Sequence, residues 1–276
     1  MSTFTNGSYN QENSQINSNQ VSKSISRQSS KELSRLNKLL MSIMSLLLLC
    51  LAWQSMKMGK ANLSFYAANH YLETWLDHNN LTDAMEYQKA LRSINDANRS
   101  HPDNSHYLIT QGLVYEWAGT GSLFSDDKEK TQHLLKAKIY YLDAVKLRPT
   151  WPVTWATLAI LKWRLGEIDQ QLIDYLFQAD KFGQHTPEVN QAWLDVGFYL
   201  YQNKSTFTAK IVKGLRKHLE IIFNDSRPDS RTMAIAIIKR HQAERLACSW
   251  LYNNEKFISH YKSKICKPLA TTNNQE

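Results

Sequence analysis

The hydrophobic pattern of the chain changes twice and divides it into a polar tail, an apolar segment and a long amphipathic part. Residues 1–37 are mostly Ser, Asn, Gln and Thr with scattered cations, a composition that predicts a disordered tail. Residues 39–53 carry no charge and contain only two serines. Beyond residue 61, apolar residues recur at three- and four-residue steps as far as about residue 251, which predicts an all-α fold.

The apolar segment predicts a single transmembrane helix over residues 38–58. Its uncharged core is shorter than the ~20 residues that cross a bilayer. Lys38 and Lys57 lengthen it, because their ammonium groups can reach opposite headgroup layers. No A-x-A-like cleavage site follows, so we expect an anchor. A cleaved signal peptide and a buried core helix are the alternatives.

The distribution of cations predicts the orientation of this anchor. Five Lys or Arg residues precede the uncharged core at residues 39–53, whereas only Lys57 and Lys60 occur in the twenty residues that follow it. By the positive-inside bias the N-terminus is cytoplasmic and the remainder is translocated. We therefore expect a single-pass inner-membrane protein of a Gram-negative cell with its C-terminal domain in the periplasm.

Two segments share a spacing that resembles the second helix of a tetratricopeptide repeat, A-x3-[IY]-x2-A-x4-P. Small residues seven apart lie on one helix face and allow a partner helix to approach closely, and proline ends the helix. The first copy is Ala90, Ile94, Ala97 and Pro102, and the second is Ala137, Tyr141, Ala144 and Pro149. Matching first-helix positions are Gly112 and Tyr115, then Trp155, Leu158 and Ala159, then Trp193 and Gly197.

These positions predict a diverged tetratricopeptide-like solenoid over residues 61–223. The expected helix pairs are 61–100, 105–147, 152–182 and 188–223, with an insertion near residues 119–130. A basic helical capping region is expected at 229–263, within a last segment 224–276 whose C-terminus is disordered. A nonrepetitive helical bundle is the alternative, because Trp and Ala patterns arise in any packed array of helices.

Charge is distributed unevenly along the chain, whose net charge is +8. Residues 61–203 are acidic, whereas residues 204–267 carry 14 Lys and Arg against 5 Asp and Glu. Lys213, Arg216 and Lys217 are spaced by three and four and share one helix face. They could meet a phospholipid, an acidic glycan or an acidic protein, or simply line a solvated helix. No nucleic-acid-binding motif accompanies them, so we expect no nucleic-acid partner.

Candidate chemistry is sparse in this sequence. No phosphate-binding glycine loop, G-x-S-x-G, H-E-x-x-H or C-x-x-C motif occurs, so we expect no enzyme, no cofactor and no metal site. Glu116 is more typical of a helix-pairing glutamate than of a glycosidase acid. Trp151 and Trp163 remain candidates for contact with a polymer or a partner. Cys248 and Cys266 could form a disulfide or remain two buried thiols.

One long segment carries a set of motifs in a fixed order. They are R-P-T-W-P at residues 148–152, Trp155 to Ala159 with Lys162, Gly166, Glu167 and Asp169, then residues 179–183 and Pro187 to Val189. In these motifs the segment resembles the VpsP family of polysaccharide biosynthesis proteins. Residues 101–107 and 112–117 fit the same family, so the resemblance covers roughly residues 39–223. The polar tail and residues 184–186 depart from it.

This resemblance implies a noncatalytic, membrane-anchored adaptor in bacterial exopolysaccharide biosynthesis and export. Its expected partners are other polysaccharide assembly or export proteins and the inner membrane. The alternative is a periplasmic protein that binds the anionic polysaccharide directly through the basic residues and the loop tryptophans.

Overall fold

A computed structural model describes residues 8–225 and 227–266, with side chains from residue 33 onward. The part of the chain that it describes is helical throughout, without a strand, which confirms the all-α prediction. The helices are α1 (Ser8–His78), α2 (Ala84–Ser100), α3 (Ser105–Thr120), α4 (Asp127–Leu147), α5 (Pro152–Arg164), α6 (Gln170–Gly183), α7 (Pro187–Gln202), α8 (Thr208–Asn224), α9 (Pro228–Arg240), α10 (Glu244–Trp250), α11 (Glu255–His260) and α12 (Lys262–Ile265).

The chain divides into two compact units, with the boundary between Gly59 and Lys60. In the first unit, every described side chain from residue 33 to residue 59 is exposed, including the apolar ones. Helix α1 contains one stretch, Leu33–His78, that is long and apolar enough to cross a membrane. The chain therefore has a helix suited to membrane anchoring.

The polar tail differs from its prediction. Residues 1–37 are expected to be disordered, but α1 already begins at Ser8. Helix growth accounts for this difference, since extending an existing helix costs far less than nucleating a new one. Residues 1–7 lie outside the described part of the chain, as do residues 267–276 at the C-terminal end that is also expected to be disordered.

The helices of the second unit begin at two kinds of local signal. Aspartate or asparagine side chains cap α2, α3, α4 and α6 by accepting hydrogen bonds from the first-turn amides. Helices α5, α7 and α9 begin instead with a proline, which needs no hydrogen bond at that position. The helix ends fall within a few residues of the predicted pairs.

Successive helices form hairpins that stack on one another. Helix α3 packs on α4, α5 on α6 and α7 on α8, while α5 also lies beside α7 and α7 beside α9. Phe65 stacks on Tyr107 and Trp75 meets Trp117 edge-on. Contacts ten residues apart in α1 thus match contacts ten residues apart in α3, so the end of α1 runs parallel to α3. Membership of this array in the tetratricopeptide class remains a prediction.

The small residues of the repeat pattern lie at close helix contacts. A Cβ on Gly112 would lie 2.5 Å from the ring of Tyr141, and one on Gly197 would lie 2.8 Å from Leu215. The other buried positions of the pattern are Ala90, Ile94, Ala97, Ala137, Ala144, Leu158, Ala159 and Trp193. Tyr115 and Trp155 are half-buried, and Pro102 and Pro149 are exposed at the helix ends.

The loop at the predicted insertion is shorter than expected, because part of the inserted sequence is helical. Gly119 ends up inside α3 and Lys130 inside α4, so only residues 121–126 connect the two helices. Part of the extra sequence lengthens α4, which has 21 residues against 17 in α8.

A disulfide closes the C-terminal region. Cys248 of α10 is bonded to Cys266, the residue that follows α12, with 5.9 Å between the two Cα atoms. The pairing decides between the two alternatives that the sequence leaves open for these cysteines. It ties the last short helices to the rest of the capping region.

Candidate functional site

Alternate helices of the second unit lie side by side and point the same way. Arg164 at the end of α5 forms an ion pair with Glu116 of α3. Trp163 of α5 contacts Tyr199 of α7, with 5.7 Å between ring centroids. Asp195 of α7 bonds Arg240 at the end of α9. The C-terminal halves of α3, α5, α7 and α9 therefore form one surface layer.

At the centre of this layer lies a cluster that we call the Trp163 surface, made of Trp163, Arg164, Tyr199, Arg240 and His241. Trp163 is half-buried between Tyr199 and His241, whose ring centroid is 6.0 Å away. Arg164 follows Trp163 at the end of α5 and Arg240 precedes His241 at the end of α9, with side chains that are 38% and 56% exposed. Two aromatic rings and two guanidinium groups are thus presented together.

Two carboxylates, the buried Asp195 and the partly buried Glu116, hold the arginines of this surface in place. Asp195 is almost fully buried and accepts hydrogen bonds from Arg240 at 3.1 Å and His241 at 3.2 Å. Glu116 accepts one from the hydroxyl of Tyr141 at 2.7 Å as well as the pair with Arg164. Burial raises the pKa of Tyr141 well above its usual value, and Glu116 raises it further, so the hydroxyl stays a donor. The flanking arginines are therefore preorganised.

A buried lysine closes the α5–α6 hairpin behind this surface. Lys162 is 2% exposed and bonds Glu167 at 2.7 Å and Asp169 at 2.9 Å, while Lys138 of α4 pairs with Glu167 as well. Burial opposes the charge of Lys162, but these bonds outweigh it and raise its pKa. The pKa of Glu167 is lowered by both lysines although burial works against this. Gln171 accepts a further bond from Lys162 at 3.1 Å, so the cluster is a polar tie between helices in which charged groups predominate.

A buried histidine occupies the α7–α8 hairpin. His218 is fully buried, stacks on Trp193 and places Nε2 3.0 Å from Asp180 and Nδ1 2.6 Å from Asn190. Burial lowers the pKa of His218 to about 4, so the ring is neutral near pH 7. With Nε2–H donating to Asp180, Nδ1 is the acceptor and is best matched by the amide nitrogen of Asn190.

The three basic residues predicted to share a helix face differ in their surroundings. Arg216 pairs with Glu220 at 3.0 Å, and Lys217 bonds both carboxylate oxygens of Asp180 at 2.8 and 2.9 Å. Lys213 is exposed and makes no ion pair within the described residues. Two of the three positive charges are therefore already balanced inside the chain, which weakens the case for this face as an anionic polymer site.

The remaining candidates are dispersed. Trp151 is half-buried in the α4–α5 turn, where the guanidinium of Arg148 covers one face of its ring at 3.9 Å. His133 is buried and contacts the hydroxyl of Tyr87 at 3.3 Å, whereas His106 is exposed beside Phe65. Among the described residues, no group of three His, Cys, Asp or Glu side chains is placed to hold a metal ion.

Sequence reasoning identified Trp163 but missed the residues around it. Tyr199 and Asp195 lie in a helix whose pattern drew attention only to Trp193 and Gly197, and Arg240 and His241 lie in the capping region. Asp195 and His241 are 46 residues apart. The one local signal for these residues is Asp195, a buried aspartate within an apolar helix face, since such a residue requires partners from elsewhere in the chain.

Comparison with known proteins does not assign a family. No protein-family model matches the sequence, and no curated protein has a significantly similar sequence. The resemblance to VpsP proteins accordingly stays a prediction, and the function is argued from the surface and the anchor.

Proposed function

We propose that this protein is a noncatalytic, membrane-anchored scaffold whose Trp163 surface binds a partner protein of exopolysaccharide assembly and export. The scaffold role is supported by the stacked hairpins and by the helix suited to membrane anchoring. The exopolysaccharide context rests on the resemblance of residues 148–189 to VpsP proteins.

The observation that carries the binding proposal is the composition of the Trp163 surface. Trp, Tyr and Arg are the residue types that dominate binding energy at protein interfaces. Here Trp163 and Tyr199 present partly exposed rings, and the carboxylates of Glu116 and Asp195 fix Arg164 and Arg240 at the same helix ends. Little side-chain entropy is lost on binding because the arginines are already held.

The proposed location is the periplasmic face of the inner membrane. Two independent features support it. Cations are in excess before the span, which favours a cytoplasmic N-terminus. The Cys248–Cys266 disulfide lies on the other side of the span, and disulfides persist in oxidising compartments such as the periplasm.

A double substitution tests the partner site. In a strain that lacks the gene, Trp163→Ala with Arg164→Glu should strongly reduce secreted exopolysaccharide while the variant accumulates in the membrane at the normal level. Lys213→Glu is the matched control, since it reverses an exposed cation away from the surface, and it should restore secretion. Normal secretion by the double variant would refute a scaffold that works through this surface.

A second experiment tests the location separately. A reporter that is active only in the periplasm, fused after Leu269, should be active. In the same cells, Cys248 and Cys266 should resist thiol alkylation until a reductant is added, whereas Cys50 stays reduced. Activity of a cytoplasmic reporter at that position would reverse the proposed topology and leave the Trp163 surface without its expected partners.

A further inference from the structure

The disulfide between Cys248 and Cys266 closes residues 248–266 into a compact segment that we call the cap loop. Its inward side chains are apolar, and three of them are at most 2% exposed: Leu251, Phe257 and Ile265. Phe257 meets Phe223 of α8 edge-on, with 5.0 Å between the ring centroids. The cap loop is therefore closed by a covalent bond and fixed to α8 through a buried aromatic contact.

The outward side of the cap loop is cationic. Its three lysines, Lys256, Lys262 and Lys264, are all exposed. Its one acidic residue, Glu255, makes no ion pair with any of them, and neither does any other residue that the structure describes. On α8, by contrast, two of the three cations are already balanced by neighbouring carboxylates. The cap loop thus offers unbalanced positive charge to an anion.

Two tyrosine rings lie among these cations. Lys262 places its ammonium group 5.9 Å from the ring centroid of Tyr252, and Lys264 places its own 5.7 Å from that of Tyr261. Such contacts hold flexible lysine side chains beside rigid rings. Tyr252 is 69% exposed, so much of its ring remains accessible. Exposed amide and hydroxyl groups follow the tyrosine and the first lysine in the sequence, at Asn253 and Ser263.

The composition of this patch differs from that of the Trp163 surface. Protein interfaces are enriched in Trp, Tyr and Arg but depleted in Lys, so a lysine-rich patch is not typical of a protein partner. Lysines attract an anion as point charges. An exposed aromatic ring can stack on the apolar face of a sugar, and amide and hydroxyl groups can bond its hydroxyls. Together these groups fit an acidic carbohydrate.

We propose that the cap loop binds an acidic polysaccharide, with a sugar ring on Tyr252 and carboxylates of the polymer beside Lys262 and Lys264. The site goes beyond the proposed scaffold function and does not depend on it, because the cap loop shares no residue with the Trp163 surface. The same protein then holds a partner and the polymer at two separate sites.

Polymers that differ in charge and in sugar content test this proposal with the full chain in a neutral detergent. Polygalacturonate carries both sugars and carboxylates. Its methyl ester has the same sugars without the charge, and polyglutamate has carboxylates without the sugars. Calorimetric titration should show that polygalacturonate binds at least about tenfold more tightly than either control, because each control lacks one of the two kinds of contact.

Substitutions in the cap loop locate the site. Lys262→Gln with Lys264→Gln should weaken the binding of polygalacturonate about tenfold, since two exposed ion pairs are lost. Lys89→Gln with Lys213→Gln is the matched control: it removes the same charge from exposed positions of α2 and α8 and should bind like the parent. Tyr252→Ala should weaken binding, whereas Tyr252→Phe keeps the ring and should not. All these variants should melt like the parent, because the replaced side chains are exposed.

Three outcomes would overturn the proposal. Equal losses in the two pairs of lysine variants would show that only net charge matters. Polyglutamate that binds as tightly as polygalacturonate would show that the patch does not recognise sugars. Release of bound polygalacturonate by phosphatidylglycerol, mixed into the micelles at equal charge, would show that phospholipid is the preferred ligand.

One further variant separates this proposal from the proposed function. Trp163→Ala with Arg164→Glu should bind polygalacturonate like the parent even though it is expected to lose the partner protein. A polymer site that fails while secretion still depends on the Trp163 surface would refute the cap loop alone.

Discussion

In both the α3–α4 hairpin and the α7–α8 hairpin the two helices pack closely, but different side chains form the close contact. In each, a glycine of the first helix lies beneath a large residue of the second: Gly112 under Tyr141 and Gly197 under Leu215. The α7–α8 hairpin adds the reverse arrangement, since Trp193 of the first helix lies over Gly214 of the second. Its helices are therefore held close from both sides.

The two hairpins also bury a histidine on the second helix, but they satisfy it differently. His133 of α4 stacks on Phe124 at 4.6 Å, and the Phe124 ring is supplied by the connection after α3. His218 of α8 has a carboxylate oxygen of Asp180 beside Nε2 and the side-chain amide of Asn190 beside Nδ1. The α3–α4 hairpin covers the imidazole of His133 mainly with aromatic rings, whereas the α7–α8 hairpin surrounds that of His218 with polar side chains as well.

This difference shows what the longer α3–α4 connection contributes. It brings an aromatic side chain over a buried histidine that has no acid partner comparable to Asp180. Burial lowers the pKa of both histidines, which keeps both neutral near pH 7. A diverged repeat can thus preserve its glycine contacts while changing how its buried polar groups are compensated.

The largest loss of stability is expected from removing the Trp193 ring, whose contact with Gly214 is specific to the α7–α8 hairpin. Trp193 is completely buried, so Trp193→Ala should destabilise the protein by about 3–5 kcal/mol through the cavity it leaves. Chemical denaturation followed by circular dichroism measures the change. Trp155→Ala is the matched control, because Trp155 holds the corresponding position in α5 and is only half-buried. An equal loss in the two variants would contradict the special role of the Trp193 contact.

Acid should distinguish the two buried histidines. The unfolded chain protonates His218 near pH 6.5, whereas the folded chain does so near pH 4, so the unfolded state binds more protons between these values. Stability should be complete above pH 6.5 and fall by up to roughly 3 kcal/mol as the pH drops to 4.

Denaturation midpoints measured across this pH range check the assignment. His218→Gln keeps a polar side chain between Asp180 and Asn190 and should flatten the pH dependence. His133→Gln is the control in the α3–α4 hairpin and should leave most of the pH dependence unchanged. A pH dependence that survives His218→Gln unchanged would mean that another group titrates.

The glycine contacts of both hairpins should resist enlargement. Gly112→Ala places a methyl group against the buried ring of Tyr141, and Gly214→Ala places one against the indole of Trp193. Each should cost about 1–3 kcal/mol through overpacking. Gly59→Ala is the control, since nothing lies within 4 Å of its added Cβ, and it should not destabilise. If all three variants melt alike, the hairpins pack less tightly than described.

Local patterns predicted the helices and the small residues at their contacts, but not the polar networks. The spacing of Ala137, Tyr141 and Ala144 is visible because one helix face repeats every three to four residues. Gly214 was missed because its partner ring belongs to the preceding helix. The pairing of Cys248 with Cys266 and the bond from His241 to Asp195 depend on how helices pack, which no local spacing contains.

The smallest change in stability is expected for substitutions of the lysines of α8, the helix that carries His218, and it should differ between Lys217 and Lys213. Lys217 is 41% exposed and pairs with Asp180, which also faces His218. Lys217→Gln should therefore cost only about 1 kcal/mol, since half-exposed ion pairs are screened by water. Lys213→Gln should change nothing measurable, as its side chain is exposed and makes no ion pair in the described part of the chain.

Salt titration of the denaturation midpoint checks the cause, because added salt should narrow the difference in midpoint between Lys217→Gln and the parent. A gap that does not respond to salt would mean that Lys217 stabilises the hairpin through its aliphatic stem, and that the polar network of α7–α8 ends at Asp180.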